Sequence, residues 1–121
     1  MEINGREIKF LRTVKATAEI SKLCPDKDIS KLSALFSQDF PTSVEFGAKL
    51  IHYLNEGYEK NKHFTDRSYK PQPLEEEEIL YLDNDTYELL FRYAMEGLNN
   101  GAETTIEIEE PKKKEKKEVT D

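Results

Sequence analysis

A mainly α-helical domain of about five helices, opened by a small N-terminal β-hairpin, is what the hydrophobic periodicity of the chain predicts. Three observations carry that prediction. Two stretches, residues 42–60 and 86–99, repeat apolar residues at helical spacing around most of their circumference. Asn4-Gly5 lies between two short alternating runs, the strongest short-range hairpin signal. Pro25, Pro41, Asp83-Asn84-Asp85 and Asn99-Asn100-Gly101 then punctuate the remainder into helix-sized pieces.

The hairpin comes first. A type I′ turn needs positive φ at both central residues, which Asn4-Gly5 supplies, and a two-residue loop pairs Ile3 with Arg6 and Met1 with Ile8. Met1, Ile3, Ile8 and Phe10 then share one face, opposite Glu2, Glu7 and Lys9. A hairpin alone is marginal in water, so its apolar face needs cover. Thr13 can cap a first helix that Pro25 stops, with Ala16, Ile20, Leu23 and Cys24 on its inner side. Asp26 or Asp28 can cap a second, short helix with Ile29, Leu32, Leu35 and Phe36 inward.

Residues 42–60 form the scaffold helix. Val44, Gly47, Ala48, Ile51, Leu54 and Tyr58 make one stripe, and Phe46, Leu50, Tyr53 and Gly57 a second beside it. Together they span roughly 220°, against the ~100° of a one-sided surface helix, so several elements must pack around it. Glu45, Lys49, His52, Glu56, Glu59 and Lys60 are left for solvent. Thr42-Ser43-Val44-Glu45 fits a capping box at its start.

Residues 61–73 have no period and contain two prolines, which predicts a long loop with Phe64 and Tyr69 as anchors. A helix over 74–82 follows, its first turn carrying Glu75 to Glu78, where carboxylates oppose the positive helix end. Asp85-x-x-Glu88 fits a cap for the last helix, 86–99. That helix confines its polar residues to Glu88, Arg92 and Glu96, leaving Tyr87, Phe91 and Met95 on an apolar surface larger than one core face requires. Thr104, Ile106 and Ile108 alternate as a strand able to join the hairpin, and 109–121 is a charged tail expected to be disordered. The domain is therefore placed at 1–108.

Composition narrows the function. The net charge is −7, and the five lysines after residue 108 are matched by five carboxylates, so the whole excess sits on the folded part. That disfavours a phosphate-backbone binder. A single cysteine, Cys24, permits no intramolecular disulfide, and no apolar run approaches a membrane span, which points to the cytoplasm. His52 and His63 with one distant cysteine make no zinc set, and Asp83-Asn84-Asp85 lacks the glycine and the terminal glutamate of a calcium loop. No phosphate-binding glycine loop or nucleophile elbow is present, so neither an enzyme nor a cofactor is expected. What remains is protein binding: the two apolar helices either cross at the core and cover each other's faces, or leave part of that surface open for a partner, with Tyr87, Phe91 and Met95 on the last helix and Phe64 and Tyr69 in the loop as the candidate contacts.

The N-terminal segment MEINGREIKFLRTVKATAEI resembles the opening of tail assembly chaperones from long-tailed phages and prophages. Asn4, Gly5, Leu11, Arg12 and Thr13 carry the likeness: a hairpin with an N-G turn, then Leu-Arg-x-Thr leading into a helix. The resemblance implies a protein of the host cytoplasm that coats the tape-measure protein and helps recruit tail-tube subunits; self-association is a separate expectation, from the apolar surface left open on the two long helices. The resemblance also implies a ribosomal frameshift near the end of the frame, and Lys112-Lys113-Lys114 and Lys116-Lys117 are what adenine-rich slippery codons encode. The alternative is a non-phage acidic interaction module, an antitoxin or nucleic-acid mimic, meeting a basic partner through Glu75 to Glu78, Asp83 and Asp85.

Overall fold

The structure, a computed structural model, describes residues 1–100 and, beyond them, the backbone of Thr104–Thr105. Strands β1 (Glu2–Ile3) and β2 (Arg6–Glu7) pair antiparallel with Ile3 opposite Arg6, and Ile8 N–H donates to Met1 O at 2.6 Å. Asn4 and Gly5 have φ of 53° and 81°, the two positive values that a type I′ turn requires. Met1, Ile3, Ile8 and Phe10 are all buried, so the predicted register holds. Strand β3 (Lys9–Phe10) pairs with β4 (Thr104–Thr105) as a second two-stranded sheet, so the C-terminal strand pairs with residues 9–10 as a separate ladder instead of extending the β1–β2 hairpin to three strands. Ile106, Ile108 and the expected tail lie outside the described residues.

Helix α1 (Val14–Leu23) begins where Thr13 Oγ1 accepts the Ala16 N–H at 3.0 Å and ends before Pro25, which lacks the N–H to continue it. A 3-10 helix (Ile29–Phe36) follows, started by Asp28, whose carboxylate accepts from Ser30 hydroxyl and N–H and is held below its usual range by them. Leu32 and Leu35 are buried, while Ile29 and Phe36 are only half-buried.

Helix α2 (Phe40–Thr65) exceeds its expected bounds at both ends. Its cap is Asp39, accepting the Thr42 N–H at 2.9 Å, rather than a box opened by Thr42. Pro41 explains the shift, since its fixed φ and missing N–H suit the first turn of a helix. At the other end, residues 61–65 continue the helix instead of starting a loop. No proline or glycine stands in their way before Pro71, and Lys62 and His63 lie in the last turn, where cations meet the negative helix end.

Helix α2 is the element most of the fold packs on. The 3-10 helix, α1, β3, α3 (Glu76–Leu80) and α4 (Asn84–Asn100) all touch it, and Ala48, Ile51 and Leu54 at the centre are wholly buried. At Gly57 the Leu11 backbone comes so close that a Cβ would sit 2.5 Å from Leu11 O. Helix α3 is shorter than the 74–82 expected: Leu74 and the cap residue Glu75 precede it, with the Leu74 N–H bonded to Asn55, and it ends at Leu80 before Tyr81. Asp83, not Asp85, caps α4, accepting from Thr86 hydroxyl at 2.7 Å and N–H at 3.1 Å, which lowers its carboxyl pKa. The Glu88, Arg92 and Glu96 stripe is exposed, as predicted.

Candidate functional site

Two features, one along α2 and one between two elements packed on it, are built from opposite chemistry. The first is a strap. After α2 the chain turns at Asp66 and runs back along the helix as residues 66–75, held by side chains that α2 places one turn apart. His63 Nδ1 donates to Tyr69 O at 2.8 Å. Glu59 accepts from Tyr69 hydroxyl at 2.7 Å and Gln72 N–H at 2.9 Å. Asn55 accepts the Leu74 N–H at 2.7 Å, and His52 Nδ1 donates to Leu74 O at 2.6 Å. Lys49 closes the row on Glu76 at 2.8 Å, which raises the lysine pKa. A carbonyl only accepts, so both histidines must carry a proton on Nδ1.

The stripe Lys49, His52, Asn55, Glu59, His63 has the i+3/i+4 spacing of one helix face. Asn55 is fully buried and also donates to Lys9 O at 2.9 Å, tying β3 to the same face. Glu59, expected in solvent, is 4% exposed. His52, expected on the solvent face, is half-buried beneath Leu74. Both corrections have one cause: backbone amides and carbonyls of the strap replace the water that these polar groups would otherwise bind.

The second feature is an apolar groove of about 630 Å³ between the 3-10 helix and α4. Ile29, Leu32 and Phe36 form one wall; Phe91, Met95 and Leu98 form the other. Phe36 meets Phe91 edge-on with ring centres 5.3 Å apart, closing one end of the groove. At the other end Arg12 donates from Nη1 to Leu98 O at 3.0 Å and from Nε to Thr17 Oγ1 at 3.1 Å. On the α4 wall Phe91, Met95 and Leu98 repeat at i, i+4, i+7, so the groove is about two α-helical turns long, ~10 Å.

The five expected contact residues are divided among four places. Phe91 and Met95 stand together in the groove wall. Tyr87 is one turn earlier on α4; its ring stacks on Phe91 at 6.4 Å, and its hydroxyl donates to Val44 O at 3.0 Å over Gly47. Burial pushes that phenol up to about 12. A methyl group at Gly47 would collide with this hydroxyl, so Tyr87 ties α4 to α2. Phe64 is 62% exposed at the far end of α2, with the Arg67 guanidinium 5.0 Å from its ring centre. Tyr69 anchors the strap: burial, then its bond to Glu59, pushes its phenol up to about 12.

Arg12 and the first wall of the groove were not among the expected contacts. Ile29 and Phe36 read as inward positions of a short helix, and only the relative placement of two helices turns them into a wall. The acidic run is largely occupied within the fold. Glu76 pairs with Lys49, Glu78 with Arg6 at 3.5 Å, and Asp83 with the start of α4. Among the described residues no group of three His, Cys, Asp or Glu side chains can hold a metal ion, and no helix is long and apolar enough to cross a membrane. Comparison with protein-family models, curated proteins and solved structures returned no match.

Proposed function

We propose that this chain is a tail assembly chaperone of a long-tailed phage or prophage, acting in the host cytoplasm on the tape-measure protein and helping to recruit tail-tube subunits. The observation that carries the reading is the groove: two turns long, walled by Phe36, Phe91, Met95 and Leu98, on an acidic body. An apolar groove between helices suits one face of an amphipathic helix, and methionine and phenylalanine walls adapt to varied side chains. A tape measure consists of such helices in long succession. The N-terminal likeness at Asn4, Gly5, Leu11, Arg12 and Thr13 supports the same assignment. A net charge of −7 keeps a complex of many copies soluble, and weak binding per copy, summed by avidity, allows displacement as the tube polymerises. The acidic-module alternative is less well supported, because Glu76, Glu78 and Asp83 already have partners within the fold.

Co-expression tests the proposal. A tape-measure protein produced with this chain should remain in the soluble fraction and co-purify with it, and Met95→Glu should return it to the pellet. A tape measure equally insoluble with and without the chain would overturn the assignment.

A further inference from the structure

We infer that the groove selects its partner by charge as well as by apolar fit: Arg12 receives a carboxylate carried at one end of the bound helix's apolar stripe. This rests on the groove being a helix-binding site, as proposed above, and adds which helices it accepts.

Arg12 is half-buried at the Leu98 end of the groove, and both of its hydrogen bonds go to neutral oxygens, Thr17 Oγ1 and Leu98 O. The fold contains many carboxylates, yet among the described residues Arg12 forms no ion pair, whereas Arg6 reaches Glu78 and Lys49 reaches Glu76. A guanidinium has five N–H donors, so two bonds leave donors for a bidentate acceptor. The other polar residues lining the groove, Ser30, Ser33 and Asn99, are uncharged. The groove therefore has an aromatic end, at Phe36 and Phe91, and a cationic end, at Arg12.

A helix that fills it best presents two apolar residues one turn apart, followed one turn later by Glu or Asp. The carboxylate then meets Arg12 while the apolar pair lies against Met95 and Phe91. A partner carrying lysine there would leave two cations facing each other. Because the two ends differ, the carboxylate also fixes which way along the groove the helix lies.

The test uses the full chain and two dye-labelled helical peptides of about 18 residues. They share one apolar stripe and differ only in glutamate or glutamine at the position one turn past it. Fluorescence anisotropy at low salt should give about fivefold tighter binding for the glutamate peptide, the scale of a partly exposed ion pair, with the gap narrowing as salt is raised. Arg12→Gln should remove the preference while the glutamine peptide binds as before, and Arg12→Lys should retain part of it. Equal affinities for the wild-type chain, or a preference that survives in Arg12→Gln, would overturn the inference. If neither peptide binds, the groove is not a helix site and the chaperone reading fails with it. Circular dichroism of each variant keeps a loss of fold from passing as a loss of preference, and an unfolded Arg12→Gln leaves Arg12→Lys and the salt series to decide.

Discussion

The strap lies along the central helix, the groove between two elements that pack on it, and the two are held in opposite ways. Along the strap, buried and half-buried polar side chains of α2 meet residues 66–75, mostly at their backbone, and each donor and acceptor named above has its partner. In the groove, aromatic and aliphatic side chains face a space that no described residue fills. A polar group excluded from water needs a specific partner, whereas apolar surface accepts any complementary shape. The strap side is therefore suited to define the fold, and the groove side to receive something from outside.

Substitutions can break that contrast, beginning with the helix both sides share. Ile51 has no exposed surface, so Ile51→Asp buries an unpaired charge and should abolish the folded state, a loss above about 4 kcal/mol seen as a collapsed circular dichroism signal. Next comes the strap. Asn55→Ala removes two bonds and strands Lys9 O and Leu74 N, so urea denaturation should report a loss of about 2–4 kcal/mol. Leucine at the same position should do no better, since the orphaned groups belong to the backbone.

Tyr69→Phe is milder. Glu59 keeps its bond from Gln72 N–H, and the expected cost is about 1 kcal/mol. It also changes the alkaline limb of stability. Burial and the Glu59 bond raise the Tyr69 phenol from 10.0 to about 12, so the folded chain holds a proton that the unfolded chain has lost. The stabilisation is complete below pH 10 and fades as pH rises from there towards 12. Melts across this range should decline less steeply for Tyr69→Phe than for wild type; equal slopes would dissociate Tyr69 from the effect. The smallest change in stability belongs to the groove. Met95→Gln should move the melting temperature by less than about 4 °C while lowering partner-peptide affinity severalfold. If Met95→Gln instead unfolds the chain, the wall is core and the contrast fails.

Local chemistry made half of this visible in the sequence. The hairpin register follows from Asn4-Gly5 and alternation alone, and the Thr13 cap of α1 from one side chain and its neighbours. At the start of α2, Thr42 and Asp39 are competing caps in the sequence, and Pro41 decides between them. The strap was illegible in its own residues, since bonds to backbone atoms impose no period on the side chains of 66–75. Its trace lay on α2 instead, where His52, Asn55, Glu59 and His63 keep helical spacing but resemble a solvated face until the returning chain is placed over them. The groove was legible on one wall. Phe91 and Met95 exceeded what a core face needs, whereas Ile29 and Phe36 were indistinguishable from core.

The way the strap is fastened has a practical use. Four of its attachment points, Tyr69 O, Gln72 N, Leu74 N and Leu74 O, are backbone atoms, so the bonds do not depend on which side chains the segment carries. Arg67, Ser68 and Lys70 are exposed on its outer surface. A cysteine introduced at Lys70 therefore offers a place to attach a fluorophore or a surface tether on the strap rather than among the groove-lining residues, with the buried Cys24 thiol, whose pKa is raised by burial, slow to compete for the label.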